Sequence, residues 1–144
     1  MTWRPLDHTA DAALEVAAAS WPELLAEAAR AFGEFVSGGP LDPALLHETE
    51  RVLEVRGADR VETWVHFWRE LLRLWTVEGF LAAHARVEAS ADGLAARARV
   101  GCVSAGALDP AHCADVKAVT WHAARVVKAA APPERWLGTI VLDL

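Results

Sequence analysis

Apolar residues recur at three- and four-residue steps in two stretches of this 144-residue chain, and at two-residue steps through most of the rest. The first helical stretch places Trp21, Leu24, Leu25, Ala28, Ala29 and Phe32 on one stripe. Ser20 precedes it as an N-cap, and Glu23, three residues on, completes the pattern of a capping box. Pro22 is tolerated because first-turn amides have no intrahelical acceptor. The run Ser37-Gly38-Gly39-Pro40 ends this helix. The second stretch opens at Asp59 with Glu62 three residues later and stops at Gly79. Between them Val61, Trp64, Val65, Trp68, Leu71, Leu72 and Trp75 keep an unbroken 3.6-residue period, which predicts a buried face.

Segments with strand character cover Thr2–Leu6, Ala13–Ala17, Glu50–Arg56, Phe80–Val87, Leu94–Val103, Val116–Val127 and Trp136–Leu142. In the fifth of these, Leu94, Ala96, Ala98, Val100 and Cys102 share one face while Arg97 and Arg99 share the other. Pro132-Pro133 between the last two suits a hairpin with a wide loop rather than a two-residue turn. The order strand, strand, helix, strand, helix and then four strands predicts an α+β domain. Its two helices are expected to pack on a largely antiparallel or mixed β-sheet, in one domain spanning residues 1–144.

Composition narrows the function classes. Asp and Glu outnumber Lys and Arg by 20 to 14, for a net charge of −6. Such a chain draws no long-range attraction to a phosphate backbone, so strong direct nucleic-acid binding is not expected; a cation or a basic protein suits it better. Cys102 and Cys113 are too few for a disulfide scaffold, and Met1-Thr2-Trp3-Arg4-Pro5 opens no apolar signal region. No run approaches the roughly 20 apolar residues of a membrane span. A cytoplasmic protein without membrane contact is the expectation.

The densest polar cluster is Asp7-His8-Thr9-Ala10-Asp11, between the first two strands. Two carboxylates four residues apart can converge on a hard cation such as Ca²⁺, Mg²⁺ or Mn²⁺, which takes oxygen ligands. The same residues equally suit an Asx-turn in which Asp7 or Asp11 caps a nearby amide. A second acidic feature is the end of the last strand, where the Asp143 side chain and the Leu144 carboxylate lie one residue apart. If that strand lies beside the first cluster, three or four carboxylates surround one position and repel unless a cation or protons neutralise them. The third is Asp115 through His122, where alternation sends Val116, Ala118, Thr120 and His122 one way and Lys117, Val119 and Trp121 the other. Lys117 is a candidate partner for a cluster carboxylate, and His122 equally suits a satisfied sheet histidine. The sequence holds no P-loop, G-x-S-x-G elbow, H-E-x-x-H motif or zinc-ligand spacing.

The segment Asp7–Asp11 resembles the D-H-T-A-D signature of the archease family, and Val116–His122 resembles that family's V-K-A-[VI]-T-[YW]-H strand. The ending Val141-Leu142-Asp143-Leu144 is similar to the family's Asp plus one aliphatic residue. The capped helix and the long helix running into Glu78-Gly79-Phe80-Leu81 follow in the family's order. The resemblance implies a non-catalytic cytosolic cofactor protein for the GTP-dependent, 3′-phosphate type of tRNA-splicing RNA ligase, promoting its guanylylation and multiple turnover. It implies a metal site of Asp11, Asp143 and the Leu144 carboxylate holding a divalent ion, calcium first and magnesium or manganese next. It also implies Asp7, His8, Asp115 and Lys117 as residues of activation or partner contact. Asp115 stands where relatives usually carry Glu, and Asp109–Ala114 is a shorter loop lacking their Lys. The alternatives are a small metal-dependent hydrolase using the same carboxylates to activate water, or a general protein-binding chaperone.

Overall fold

The computed structural model describes residues 1–6, 11–130 and 132–144. Seven strands and two long helices follow one another as β1 (Thr2–Leu6), β2 (Asp11–Ala18), α1 (Trp21–Ser37), β3 (Arg51–Arg56), α2 (Arg60–Thr76), β4 (Phe80–Ala89), β5 (Ala95–Ser104), β6 (Ala118–Ala129) and β7 (Arg135–Asp143). This is the α+β order that the periodicities predict. The strands divide between two antiparallel sheets, one ordered β1-β2-β7-β6 and the other β3-β5-β4. Each helix touches strands of both sheets, so α1 and α2 fill the space between them.

Local chemistry explains where the helices begin and end. Ser20 Oγ accepts from the Glu23 amide at 3.2 Å, and Asp59 Oδ1 accepts from the Glu62 amide at 2.8 Å. Among the described residues Glu23 makes no reciprocal bond to Ser20, so the predicted capping box is half formed. Gly38 ends α1 at φ 83°, a left-handed conformation in which a side chain would be strained.

The two helices reach the sheets at unusually short range through glycines. A Cβ on Gly33 of α1 would collide with the Ala82 carbonyl on β4. A Cβ on Gly138 of β7 would lie 2.5 Å from the Trp64 ring of α2. Trp64 also donates Nε1–H to the Thr139 carbonyl at 2.9 Å, and its ring meets Trp21 at a tilt and Trp68 edge-on at 6.5 and 5.6 Å. Trp64, Trp68 and Leu71 are fully buried as their spacing predicts; Val61 and Trp75, at the margins of the stripe, are only half-buried. Ala96, Ala98, Val100 and Cys102 face the core, and Arg97 and Arg99 face solvent.

The last hairpin departs from simple alternation. Strand β6 starts at Ala118, two residues later than its sequence pattern suggests, so Val116 and Val119 both reach the core instead of pointing oppositely. Its pairing with β7 jumps from Thr120↔Val141 to Arg125↔Thr139, leaving a bulge at residues 121–124. Within it Ala123 holds φ 59°. His122 therefore does not continue the row of Ala118 and Thr120.

Truncating Trp68 to Ala should cost roughly 3–5 kcal/mol, read as a melting-temperature drop on the order of 10 °C at about 2–4 °C per kcal/mol. A variant melting like the parent would mean that the α2 stripe is not the core. Alkaline titration offers a second test. Burial pushes the Cys102 thiol from its ordinary 9.0 up to about 11, and burial with the Asp109 charge raises Cys113. The unfolded chain then releases the Cys102 proton at lower pH than the folded one, so stability present below pH 9.0 is lost as pH rises toward about 11. The chain has no Tyr to confuse this window. Denaturant midpoints should fall across it, and Cys102→Ala should flatten the slope; an unchanged slope would refute the assignment.

Candidate metal centre

Strand β2 enters sheet order beside β7 with Asp11 directly opposite Asp143. Directly paired residues on antiparallel strands project to the same face with Cβ atoms about 4.5–5.5 Å apart. Leu14, Val16, Ile140 and Leu142 point into the core, so the register places Asp11 and Asp143 on the face turned away from the helices. Both are partly exposed, and Leu144 follows at the exposed end of β7. Two carboxylates facing each other across a ladder repel, which destabilises the pair unless positive charge stands nearby.

The backbone around them is well tied. The Lys117 amide donates to the Asp143 carbonyl at 2.8 Å, so the chain entering β6 closes the other side of Asp143. Ala118 then pairs with Asp143 across the ladder. The row thus reads Asp11, Asp143, Ala118 across three strands, with Lys117 adjoining.

One group in this region was not singled out by sequence. Thr120 lies on the same face as Asp143, two residue pairs along the ladder, and its buried Oγ1 has no hydrogen-bond partner among the described residues. A buried hydroxyl without a partner costs desolvation energy and calls for an explanation such as a water or an ion. The only hint in sequence is a hydroxyl in an apolar strand.

Asp115 takes a different position. It is exposed and lines a shallow cleft of about 380 Å³ with Trp75, Leu108, Pro110 and Cys113. The Ala114 amide donates to the Val36 carbonyl at 2.8 Å, which pins this loop to the end of α1. Asp7 and His8, the remaining residues of the first acidic cluster, lie outside the described residues. Among the described residues no three His, Cys, Asp or Glu side chains converge as a metal-binding group. What the fold brings together is two carboxylate residues, Asp11 and Asp143, in direct cross-strand register, with oxygen donors of the type hard divalent cations take.

Comparison with known proteins agrees with this frame. Residues 3–144 match the family described as the Archease protein family. A protein named archease from Methanopyrus kandleri is 32% identical over 148 aligned residues, covering all of both chains. The solution structure of Methanobacterium thermoautotrophicum protein 1598 superposes with a TM-score of 0.73 at 23% identity, over 99% of this chain and 98% of that one. That likeness shows the α+β fold.

The cross-strand register is directly testable. Cysteines at directly opposite positions have Cα separations within the disulfide range of about 4.4–6.8 Å. In a Cys113→Ser background, Asp11→Cys with Asp143→Cys should oxidise to an intramolecular disulfide, seen by thiol titration and intact mass. A pair that stays reduced under conditions that oxidise other close pairs would break the proposed register.

Proposed function

The chain belongs to the archease family, and on that premise we propose that it is a non-catalytic, cytoplasmic cofactor protein that activates a GTP-dependent tRNA-splicing RNA ligase. The observation that carries the reading is the Asp11–Asp143 pair, held opposite each other beside Leu144 on an otherwise ordinary sheet face. Like charges in direct cross-strand register repel each other, and a bound cation would offset that repulsion.

The residues present suit such an ion. Asp11, Asp143 and the terminal carboxylate of Leu144 would hold it, with Asp7 and His8 adjoining in sequence. An all-oxygen, strongly anionic donor set favours Ca²⁺, with Mg²⁺ or Mn²⁺ as substitutes. A divalent ion there supplies positive charge where the ligase handles the phosphates of GTP and RNA. The chain's own groups do the rest: the carboxylates would orient the ion, Lys117 beside Asp143 offers the partner a cation, and Asp115, in the separate cleft before it, offers an anion. In the ligase, guanylylation requires a histidine nucleophile and triphosphate to be aligned, and such alignment is worth several orders of magnitude in rate. The acidic overall charge suits docking against a basic, nucleotide-handling cleft.

Calcium should raise the melting temperature, because a ligand that binds only the folded state stabilises it by about 2.7 kcal/mol at one hundred times Kd. Asp11→Ala should abolish that shift, and amidating the Leu144 carboxylate should reduce it. An undiminished calcium response in Asp11→Ala would move the metal elsewhere. With the cognate ligase, a 3′-phosphate end and a 5′-hydroxyl end, the protein should carry the reaction beyond one product per enzyme by accelerating guanylylation. Asp11→Ala and Asp143→Ala should lose most of that stimulation, Asp115→Ala should reduce it, and Asp115→Glu should retain it. Full stimulation by both Asp11 and Asp143 variants would refute the mechanism. Phosphoester hydrolysis by the isolated protein with metal would favour the hydrolase reading instead.

A further inference from the structure

The segment between β5 and β6 builds a cleft that the metal centre does not use. Trp75, in the last turn of α2, and Ala105, Leu108 and Pro110 of that segment give it apolar walls. Its volume of about 380 Å³ has room for a side chain and none for a helix. Backbone bonds hold the walls in place. The Ala105 amide donates to the Gly79 carbonyl at 2.8 Å, and the Leu108 amide donates to the Ala105 carbonyl at 3.1 Å. The Ala114 amide donates to the Val36 carbonyl at 2.8 Å and so anchors the far end of the segment to α1. The cleft is therefore preformed. The Gly79 bond also draws the turn after α2 alongside, and Val77 in that turn is 74% exposed, the most open large apolar side chain among the described residues. Apolar surface grouped in this way marks an interaction site, whereas scattered single residues do not.

Charge selects what can enter. Of the residues lining the cleft, Asp115 alone carries a formal charge. Burial and the Asp109 charge raise the Cys113 thiol, which keeps it neutral. The other acids of this region are engaged: Asp109 Oδ2 meets His112 Nδ1 at 3.0 Å, and Glu78 accepts from Arg73 at 2.6 Å. Asp115 has no cationic partner among the described residues. A phosphate or nucleotide is repelled by this carboxylate, and no cation in the lining offsets that repulsion. One carboxylate is also too few to hold a metal ion. What complements an apolar cleft with a free carboxylate is an apolar side chain next to a cation.

We propose that this cleft is a docking site for a segment of the partner ligase that presents an aliphatic or aromatic side chain beside a lysine or arginine. The inference rests on the ligase reading and adds the chemistry of the contact. Asp115 precedes Lys117 by two residues, at most about 7 Å of chain, and the Lys117 amide bonds the Asp143 carbonyl. A segment seated in the cleft therefore stands close to the Asp11–Asp143 end of the ladder, and one partner can engage both. Burial of its apolar side chain supplies affinity, and pairing at Asp115 sets its orientation.

The test is association with the cognate ligase, measured by titration calorimetry at low and moderate salt. Ala105→Phe, which fills the cleft, should weaken association roughly tenfold, while Ala105→Ser should associate like the parent. Asp115→Asn keeps the shape and removes the charge, so it should weaken association about threefold and flatten its salt dependence. The calcium-induced rise in melting temperature should survive in Ala105→Phe, because the cleft lies outside the metal centre. Melting temperatures also report folding, and the exposed change Asp115→Asn carries the test if Ala105→Phe unfolds. Folded Ala105→Phe and Asp115→Asn that associate like the parent would overturn the docking site and leave the ligase reading standing. A parent that does not associate with the ligase would overturn both. Self-association of the parent that Ala105→Phe abolishes, with ligase affinity unchanged, would assign the cleft to a second copy of the chain and overturn the proposal equally.

Discussion

The Trp64 indole holds the architecture together at its narrowest point. It rises from α2, bonds the Thr139 carbonyl of β7 at 2.9 Å and fits against a position where only glycine leaves room. Direct contact between a helix layer and a sheet backbone requires one side to give up its side chain, and Gly138 does so. Once this contact is made, β7 is located relative to α2, and the ladders on either side of β7 locate β2 and β6. The acidic pair at one end of β2 and β7 and the bulge opposite Ile140 both inherit their positions from that ladder. On the other side Gly33 plays the same part for α1 against Ala82 of β4. The molecule is thus two sheets clamped on two helices at glycine contacts, with Trp21, Trp64, Trp68 and Trp136 filling what remains.

Much of this frame is legible in the residues. The helices announce themselves by caps and by stripes several turns long, because burial of one face demands a 3.6-residue period. In the smaller sheet β3 and the first half of β5 alternate, since one face meets the core and the other meets water, as Arg97 and Arg99 show. What alternation cannot convey is which strand neighbours which. The division into two sheets is settled by contacts such as Trp64 on Gly138, which join residues far apart in sequence. The half-buried Val61 and Trp75 show the same limit, since period identifies a face but not its edges.

The candidate site divides along the same line. The grouping of Asp11 with Asp143 comes from the family resemblance; spacing alone suits an Asx-turn equally well. Their register is a tertiary fact. A threonine in a strand is unremarkable in sequence, and what distinguishes Thr120 is a buried hydroxyl without a partner among the described residues. Trp121 read as one more apolar residue in an alternating strand, and only the bulge, which adds residues on one side of the ladder, turns it outward toward α2. Bulges of this kind leave little trace in composition when no glycine marks them.

The pairing of β2 with β7 also bears on how the chain folds. Residues 11–18 pair with the neighbouring β1 on one edge, but on the other their ladder partner is residues 135–143, so the central seam of the larger sheet closes the longest loop among the strand pairings. Loop-closure entropy makes such a contact slow to form relative to the local helices and hairpins. During vectorial synthesis α1, α2 and the β3-β5-β4 sheet can assemble while one edge of β2 stands unpaired, the condition in which strands associate with the wrong neighbour. The carboxylate pair lies at one end of that seam. Its completion therefore marks a chain whose topology has closed, and a partner that recognises it would engage finished molecules and pass over unfinished ones.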